Sequence, residues 1–268
     1  MLSDLLDPQV VADYIDKKLI DAIRFAPLAK IDTTLVGRPG DEVTLPQYTY
    51  AGAAEAVAEG ADIPIAKLTQ DVAKVKVSKI GRAIQFTDEA LLSAYNNDIA
   101  EEAAKQVVLA INDKVEIDLL ARMKADADLY YNLTSFSHIT DGVADALVNF
   151  GEDIDGEKVL LCDPTFYSYL LKSEGWIPNT EIGANIIIKG TVGSVYGTQV
   201  VLTNRLKNTN SAFIVKPGAL AIFMKRDTIV EFDRDKLDQT NYIIGSKIIA
   251  PYVYDKSKLI KIDVTASA

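Results

Sequence analysis

Apolar residues recur along this chain with two different periods, and the changes between them divide it into parts. Near the start, Val10, Val11, Tyr14, Ile15, Leu19, Ala22 and Ile23 recur at helical spacing, with Asp13, Asp16, Lys17 and Asp21 more to the other side. Asp7 suits the N-cap and Pro8 the first helical position, and Pro27 ends the segment. A helix this close to a terminus needs a docking surface, either on its own domain or on a neighbour.

The period then shortens. Val43, Leu45 and the pair Tyr48/Tyr50 predict a strand interrupted by Pro46, a residue confined to edges and bulges. Ala51–Asp62 (A-G-A-A-E-A-V-A-E-G-A-D) is small and acidic, with Gly52 and Gly60 near its ends. The chain returns through the alternating run Val72–Ser78, and apolar parity passes from Val75 and Val77 to Ile80, Ile84 and Phe86. That switch predicts a bulge or bend across Ser78–Gly81. The whole of Val43–Phe86 reads as a two-stranded arm with a mobile tip. Such a hairpin is marginal in water by itself, so it should lie on something else.

Thr87 is a candidate N-cap, with Asp88 and Glu89 suited to the positive end of a helix that breaks near Asn96-Asn97. From Asp98 to Asp126 one helix is expected, because Ile99, Ala103, Val107, Ile111, Val115, Leu119 and Met123 recur every four residues. Glu101, Glu102, Lys105, Asp113, Glu116 and Arg122 are assigned to its solvated side. After a loop near Asn132–Thr140 the texture is compact α/β. A short helix carries Val143, Ala146, Leu147 and Phe150; Lys158–Cys162 is a strand; Asp163-Pro164 opens a helix closed around Gly175. Strands are predicted at Asn185–Ile188, Gln199–Thr203, Ala212–Val215, Ala219–Met224, Thr228–Phe232, Asn241–Tyr254 and Leu259–Val264. The fold class is α+β, with one or two compact lobes, a long helix and protruding arms.

Composition narrows the functions. The chain has 268 residues, 49% of them hydrophobic and 25% charged, which is globular rather than disordered. Its net charge of -10 opposes any function whose affinity comes from neutralising phosphates. One Cys and one His leave no intramolecular disulfide and no Cys/His zinc cluster. No basic, apolar leader opens the chain, and no apolar run reaches the ~18 residues of a membrane span. The expectation is a soluble cytosolic protein.

Candidate chemistry is sparse. There is no G-x-x-x-x-G-K-S/T, and Gly190–Gly197 lacks the G-x-G-x-x-G spacing that brings backbone N–H groups against a pyrophosphate, so it reads as a turn between strands. His138 and Cys162 are a nominal base and nucleophile, but one lies in a polar loop and the other ends an apolar strand. Neighbouring carboxylates Glu101-Glu102 point apart on a helix, and Asp233-Arg234-Asp235-Lys236 reads as a solvated turn. The stripe Lys74, Lys76, Lys79 and Arg82 reads as edge-strand protection rather than a nucleic-acid site. No catalytic, metal or cofactor site is assigned, and no cofactor is expected.

The order of parts resembles the major capsid proteins of tailed bacteriophages with the Hong Kong 97-type fold. Asp7–Phe25 looks like the N-terminal arm of that family, and Val43–Phe86, with Ala58–Pro64 after its tip, resembles its extended E-loop. Val75–Leu92 is similar to the strand leading into its spine helix. Gly193–Thr203 resembles its recurrent G-x-I/V-x-G-x-x-V-x-x-S/T stretch. The resemblance implies an arm at 1–36, an E-loop at 37–87, spine helix and peripheral (P) domain at 88–140, an axial (A) domain at 141–236 and C-terminal P-domain strands at 237–268. It implies a non-enzymatic shell protein that assembles with itself, through hexamers and pentamers, into an icosahedral phage head. A shell of the same fold enclosing cargo enzymes, an encapsulin, is the alternative, and a carboxylate-using enzyme a second. Contacts between subunits are expected at Tyr14, Ile15 and Leu19 of the arm and at Gly52, Glu55, Glu59, Gly60 and Asp62 of the loop. The chain begins almost at the arm, so scaffolding is expected from a separate protein, or is unnecessary. A portal and a decoration protein complete the implied partners. DNA is enclosed without sequence-specific binding, no membrane is involved, and assembly is expected in the host cytoplasm.

Overall fold

The four-residue apolar repeat produces one long helix around which the other elements pack. In the computed structural model, which describes residues 28–48, 52–54, 56–57, 62–63, 65–68, 70–93, 99–178, 191–207 and 209–265, this helix is α2, Ile99–Asp126. Its 28 residues span roughly 42 Å at 1.5 Å per residue. The short α1, Asp88–Ser93, precedes it, and the Thr87 hydroxyl accepts from the Ala90 N–H at 3.2 Å, the cap expected from sequence. The predicted break at Asn96-Asn97 and the predicted helix Asp7–Phe25 lie outside the described residues.

One face of α2 covers a four-stranded sheet in the order β1 (Ala29–Asp32), β11 (Leu220–Asp235), β12 (Thr240–Val253), β4 (Ser78–Thr87). Even positions of β4 (Ile80, Ile84, Phe86) and odd positions of β12 (Ile243, Ile249) meet Val107, Ile111 and Val115 in one apolar cluster. Gly245 of β12 lies directly under the helix: a Cβ there would sit 2.4 Å from Val107 Cγ1 and 3.2 Å from Ile111 Cδ1. Gly245→Ala should therefore force the helix away from the sheet. A loss of about 1–3 kcal/mol is expected, the range for overpacking a filled core, read as a lower urea midpoint with an unchanged slope.

A seven-stranded sheet forms the second layer, in the order β5 (Leu129–Leu133), β13 (Leu259–Val264), β10 (Ser211–Val215), β6 (Lys158–Cys162), β9 (Thr198–Leu202), β8 (Thr191–Val195), β7 (Trp176–Pro178). Strand alternation gives it two apolar faces. Val159, Leu161, Phe213, Val215 and Leu259 continue the core under α2, while Leu160, Cys162, Ile214, Ile260 and Ile262 face the other way. That outer face is covered by α3 (Ile139–Val148) and α4 (Pro164–Leu170) through Val143, Leu147, Phe166 and Leu170. Asp163 caps α4, accepting from the Phe166 N–H at 2.8 Å with Pro164 beginning the helix.

Several expectations change. Ser78–Thr87 does not belong to the two-stranded arm: it pairs along its length with β12, and only β2 (Glu42–Tyr48) and β3 (Gln70–Lys76) form the ribbon. The parity switch marks where the chain leaves the ribbon for the larger sheet, with Val77 as the one residue between. Ala219–Met224 and Thr228–Phe232 are one strand, β11, whose alternation is broken by register shifts between Met224 and Ile229. Asp233–Asp235 is the end of that strand rather than a turn, paired to Thr240–Tyr242. In the glycine-rich run, Thr191–Val195 is itself a strand, and only Tyr196-Gly197 turns, both at positive φ (46° and 72°) as a tight hairpin requires. The segment read as a loop from Asn132 begins inside β5, and Asn185–Ile188 lies outside the described residues. Sheet membership also cuts the chain differently from the division at 236 and 237. Strand β11 returns to the sheet under α2, and β13 crosses to the seven-stranded sheet beside β5.

Candidate assembly surfaces

Among the described residues the ribbon is anchored through the half nearest the sheet, where Val43 and Leu45 also pack against the cluster at its base. Leu35, Val75 and Val77 pack on Ala221, Phe223 and Ala250, on the face of the four-stranded sheet that α2 does not cover. The Val77 N–H donates to the Asp41 carbonyl at 2.9 Å. Lys225 from β11 donates to the Gly40 carbonyl at 2.7 Å and ion-pairs with Asp41. The hydrogen bond that Lys225 Nζ donates to Asp41 Oδ1, helped by the charge of Lys225, holds the Asp41 carboxyl below its ordinary range.

Beyond the base the ladder runs from Glu42 opposite Lys76 to Tyr48 opposite Gln70, with no further strand beside it among the described residues. The returning limb carries apolar side chains in the open: Ile63 is 76% exposed, Ile65 95% and Leu68 68%. Isolated exposed apolar residues need no explanation, but three within six positions on a coreless ribbon form a surface that wants covering. Of the expected contact residues, Gly52 has φ +103° with open space around a would-be Cβ, and Asp62 is exposed. Glu55, Glu59 and Gly60, and Tyr14, Ile15 and Leu19 of the arm, lie outside the described residues.

Sequence reasoning missed a polar knot under α2. Glu116, assigned to the solvated side, is 1% exposed, and Asn112 one turn earlier is 3% exposed. Both lie on the ridge Ala104, Val108, Asn112, Glu116, Leu120, whose apolar members are buried. Arg205, in the single helical turn Asn204–Leu206 after β9, reaches this ridge. Its guanidinium ion-pairs with Glu116 and donates to Asp113 Oδ1 from Nη2 at 2.6 Å and from Nε at 3.1 Å. Thr203 holds the turn by accepting from the Arg205 N–H at 3.3 Å. The knot thus fixes the seven-stranded sheet to the long helix. Two polar residues inside an apolar i,i+4 ridge were the available sequence signal.

The nominal catalytic residues do not converge. Cys162 is fully buried in β6, where burial, then the charge of Asp163, pushes its thiol far above the range in which a thiolate forms. His138 is exposed, its Nδ1 3.5 Å from Asp141 Oδ2. Glu102 accepts from Gln106 at 2.8 Å, and Asp235 from the Leu237 N–H at 2.8 Å. Among the described residues no three His, Cys, Asp or Glu side chains are grouped to hold a metal, and no helix is long and apolar enough to cross a membrane. His138→Ala should leave stability within about 0.5 kcal/mol of the parent, as at exposed sites generally, and Cys162→Ala should cost about 1 kcal/mol for the lost sulfur. Thermal melts of the two variants check this. A loss above about 3 kcal/mol at His138 would reveal a structural role that its exposure denies it.

Comparisons with known proteins agree on one family. A family model described as phage capsid protein matches residues 70–262. The major capsid protein of Staphylococcus phage phiMR11 is 35% identical over 263 residues, which is 97% of this chain and 94% of that one. Among solved structures, the capsid of the cyanophage P-SCSP1u superposes with a TM-score of 0.72 at 14% identity, covering 92% of this chain and 89% of that one. The mature capsid of bacteriophage PhiM1 does so at 0.70 and 10% identity, covering 91% and 87%.

Proposed function

Since the chain belongs to the family of phage capsid proteins, we propose that it builds an icosahedral head from hexamers and pentamers and encloses phage DNA. Family membership makes it a structural component of the virion with the Hong Kong 97-type fold, and not an enzyme. It favours a phage head over an encapsulin-like compartment and over a carboxylate-using enzyme.

The observation that carries the assembly reading is the ribbon: a paired, apolar-edged projection whose described residues pack on their own chain through the half nearest the sheet, with Ile63, Ile65 and Leu68 left in the open. In the proposal it lies across an adjacent copy in the same ring. That contact is head-to-tail, and such contacts close into rings when the rotation between copies allows. The four-stranded sheet with α2 serves as the peripheral lobe, the seven-stranded sheet as the axial lobe, the ribbon as the E-loop, and residues 1–36 as the arm. A net charge of -10 suits a container whose wall must let DNA slide during filling. A separate scaffolding protein, a portal and a decoration protein are the partners, and assembly takes place in the host cytoplasm.

Sedimentation of the expressed protein tests the reading. Fast-sedimenting particles composed mainly of this chain are expected. Slow sedimentation of all copies, with or without a co-expressed scaffolding protein, would contradict it.

A further inference from the structure

A basic groove runs along β4, which among the described residues is a free edge of the four-stranded sheet. Strand β4 is its last strand, and between β4 and α2 the groove is lined by Lys79, Ile80, Arg82, Gln106, Ala110 and Lys114. Lys114 is paired to Asp118 at 2.6 Å, but among the described residues neither Lys79 nor Arg82 has an ion-pair partner. In a chain of net charge -10 this concentration of positive charge is unusual. Edge protection alone accounts for lysines on the strand. It does not account for a cleft that gathers cations from both a strand and a helix.

The same chain carries the complement. Ala51–Asp62 contains Glu55, Glu59 and Asp62 and no Lys or Arg, and the next cation is Lys67. We infer that the groove beside Lys79 and Arg82 receives the acidic segment Ala51–Asp62 of a second copy of this chain. This rests on the reading that the ribbon crosses to a neighbour, and it names where the ribbon lands.

Two observations make the occupant a second copy rather than the chain's own tip. Strands β3 and β4 are separated by Val77 alone, and a chain needs a four-residue turn to reverse, so the ribbon runs away from the groove. Its seven paired positions carry the tip roughly 20 Å from that junction. The described limb residues Ile63, Ile65 and Leu68 are exposed, not folded back onto the chain. Each copy then offers one acidic segment and one basic groove, the equal numbers a closed ring requires. Charge complementarity of this kind sets register and speeds encounter more than it adds affinity.

A charge-swap series tests the inference. The double variant Lys79→Glu/Arg82→Glu should lower particle yield about tenfold or more, since like charges then face one another. The triple variant Glu55→Lys/Glu59→Lys/Asp62→Lys should do the same, and combining all five changes should restore particles. Circular dichroism of each variant must match the parent. Normal particle yield from the groove variant, or failure of five correctly folded changes to restore it, would overturn the inference. Normal particles that no longer retain DNA would also overturn it, making the groove a phosphate site. If the groove variant assembles normally while a chain with a shortened tip does not, the ribbon still crosses to a neighbour but lands elsewhere.

Discussion

Replacing Gly52–Gly60 with a short Gly-Ser turn yields a folded chain that no longer forms shells. The fold should survive because the ribbon's anchorage lies elsewhere, in Leu35, Val75 and Val77 against Ala221, Phe223 and Ala250, and in the Lys225 contacts at its base. None of the described residues between Gly52 and Gly60 belongs to the three buried clusters. The β2–β3 ladder would close over a shorter connection, which slightly lowers the entropy of loop closure. What is lost is reach. A segment with three carboxylates at 55, 59 and 62 is cut back before it arrives at a neighbour, and the apolar limb Ile63–Leu68 is drawn toward the ladder. Circular dichroism and urea melts should match the parent while sedimentation shows only small species. Shells of normal size and yield would remove the ribbon from assembly.

Arg205→Ala should be the most damaging single change to stability. Its guanidinium serves a carboxylate, Glu116, that is 1% exposed, and the Arg205 side chain itself is only 29% exposed. Removing one partner of a buried pair costs about 3–5 kcal/mol, because the remaining charge stays in a poor solvent. Partial exposure of Arg205 lets water in, so the lower end, about 3 kcal/mol, is expected. Adding Glu116→Leu to that variant should recover most of the loss, since an apolar side chain there continues the ridge of Val108 and Leu120. A urea midpoint for Arg205→Ala close to the parent's would show that the knot contributes little. Particles from this variant should also lose integrity at lower temperature, because the knot joins the two sheets through α2.

Where one local rule governed an element, the sequence could be read directly. The four-residue stripe of α2, the uninterrupted run of β6 and the Asp163-Pro164 cap are each decided within about ten residues, and the structure reproduces them. Elements held by distant partners were not readable. Strand β1 is four residues long and exists because Leu220–Phe223 pairs with it in parallel; β5 likewise depends on β13, more than a hundred positions later. The bulged β11 looked like two strands because its irregularity interrupts the alternation that identifies a strand. Glu116 was misplaced for a related reason: a charge on a helix looks solvated until the residue that neutralises it arrives from 89 positions away, between Glu116 and Arg205. The ribbon's residues could be read because of a deficiency, the lack of enough apolar mass to fold alone. What covers them is not encoded locally. The purpose was legible in the order of the parts rather than in any one motif, and the family match and the phiMR11 relative bear out that reading.

Ribbons that cross from one copy to the next, as proposed, would be visible in the assembled shell. Electron microscopy of the assembled particles, at a resolution that traces the backbone, tests the crossing most directly. Closed shells of fivefold and sixfold rings are expected, with each Gly52–Asp62 segment lying on an adjacent copy beside Lys79 and Arg82. Rings in which every ribbon folds back onto its own chain, or the absence of rings altogether, would contradict the proposal.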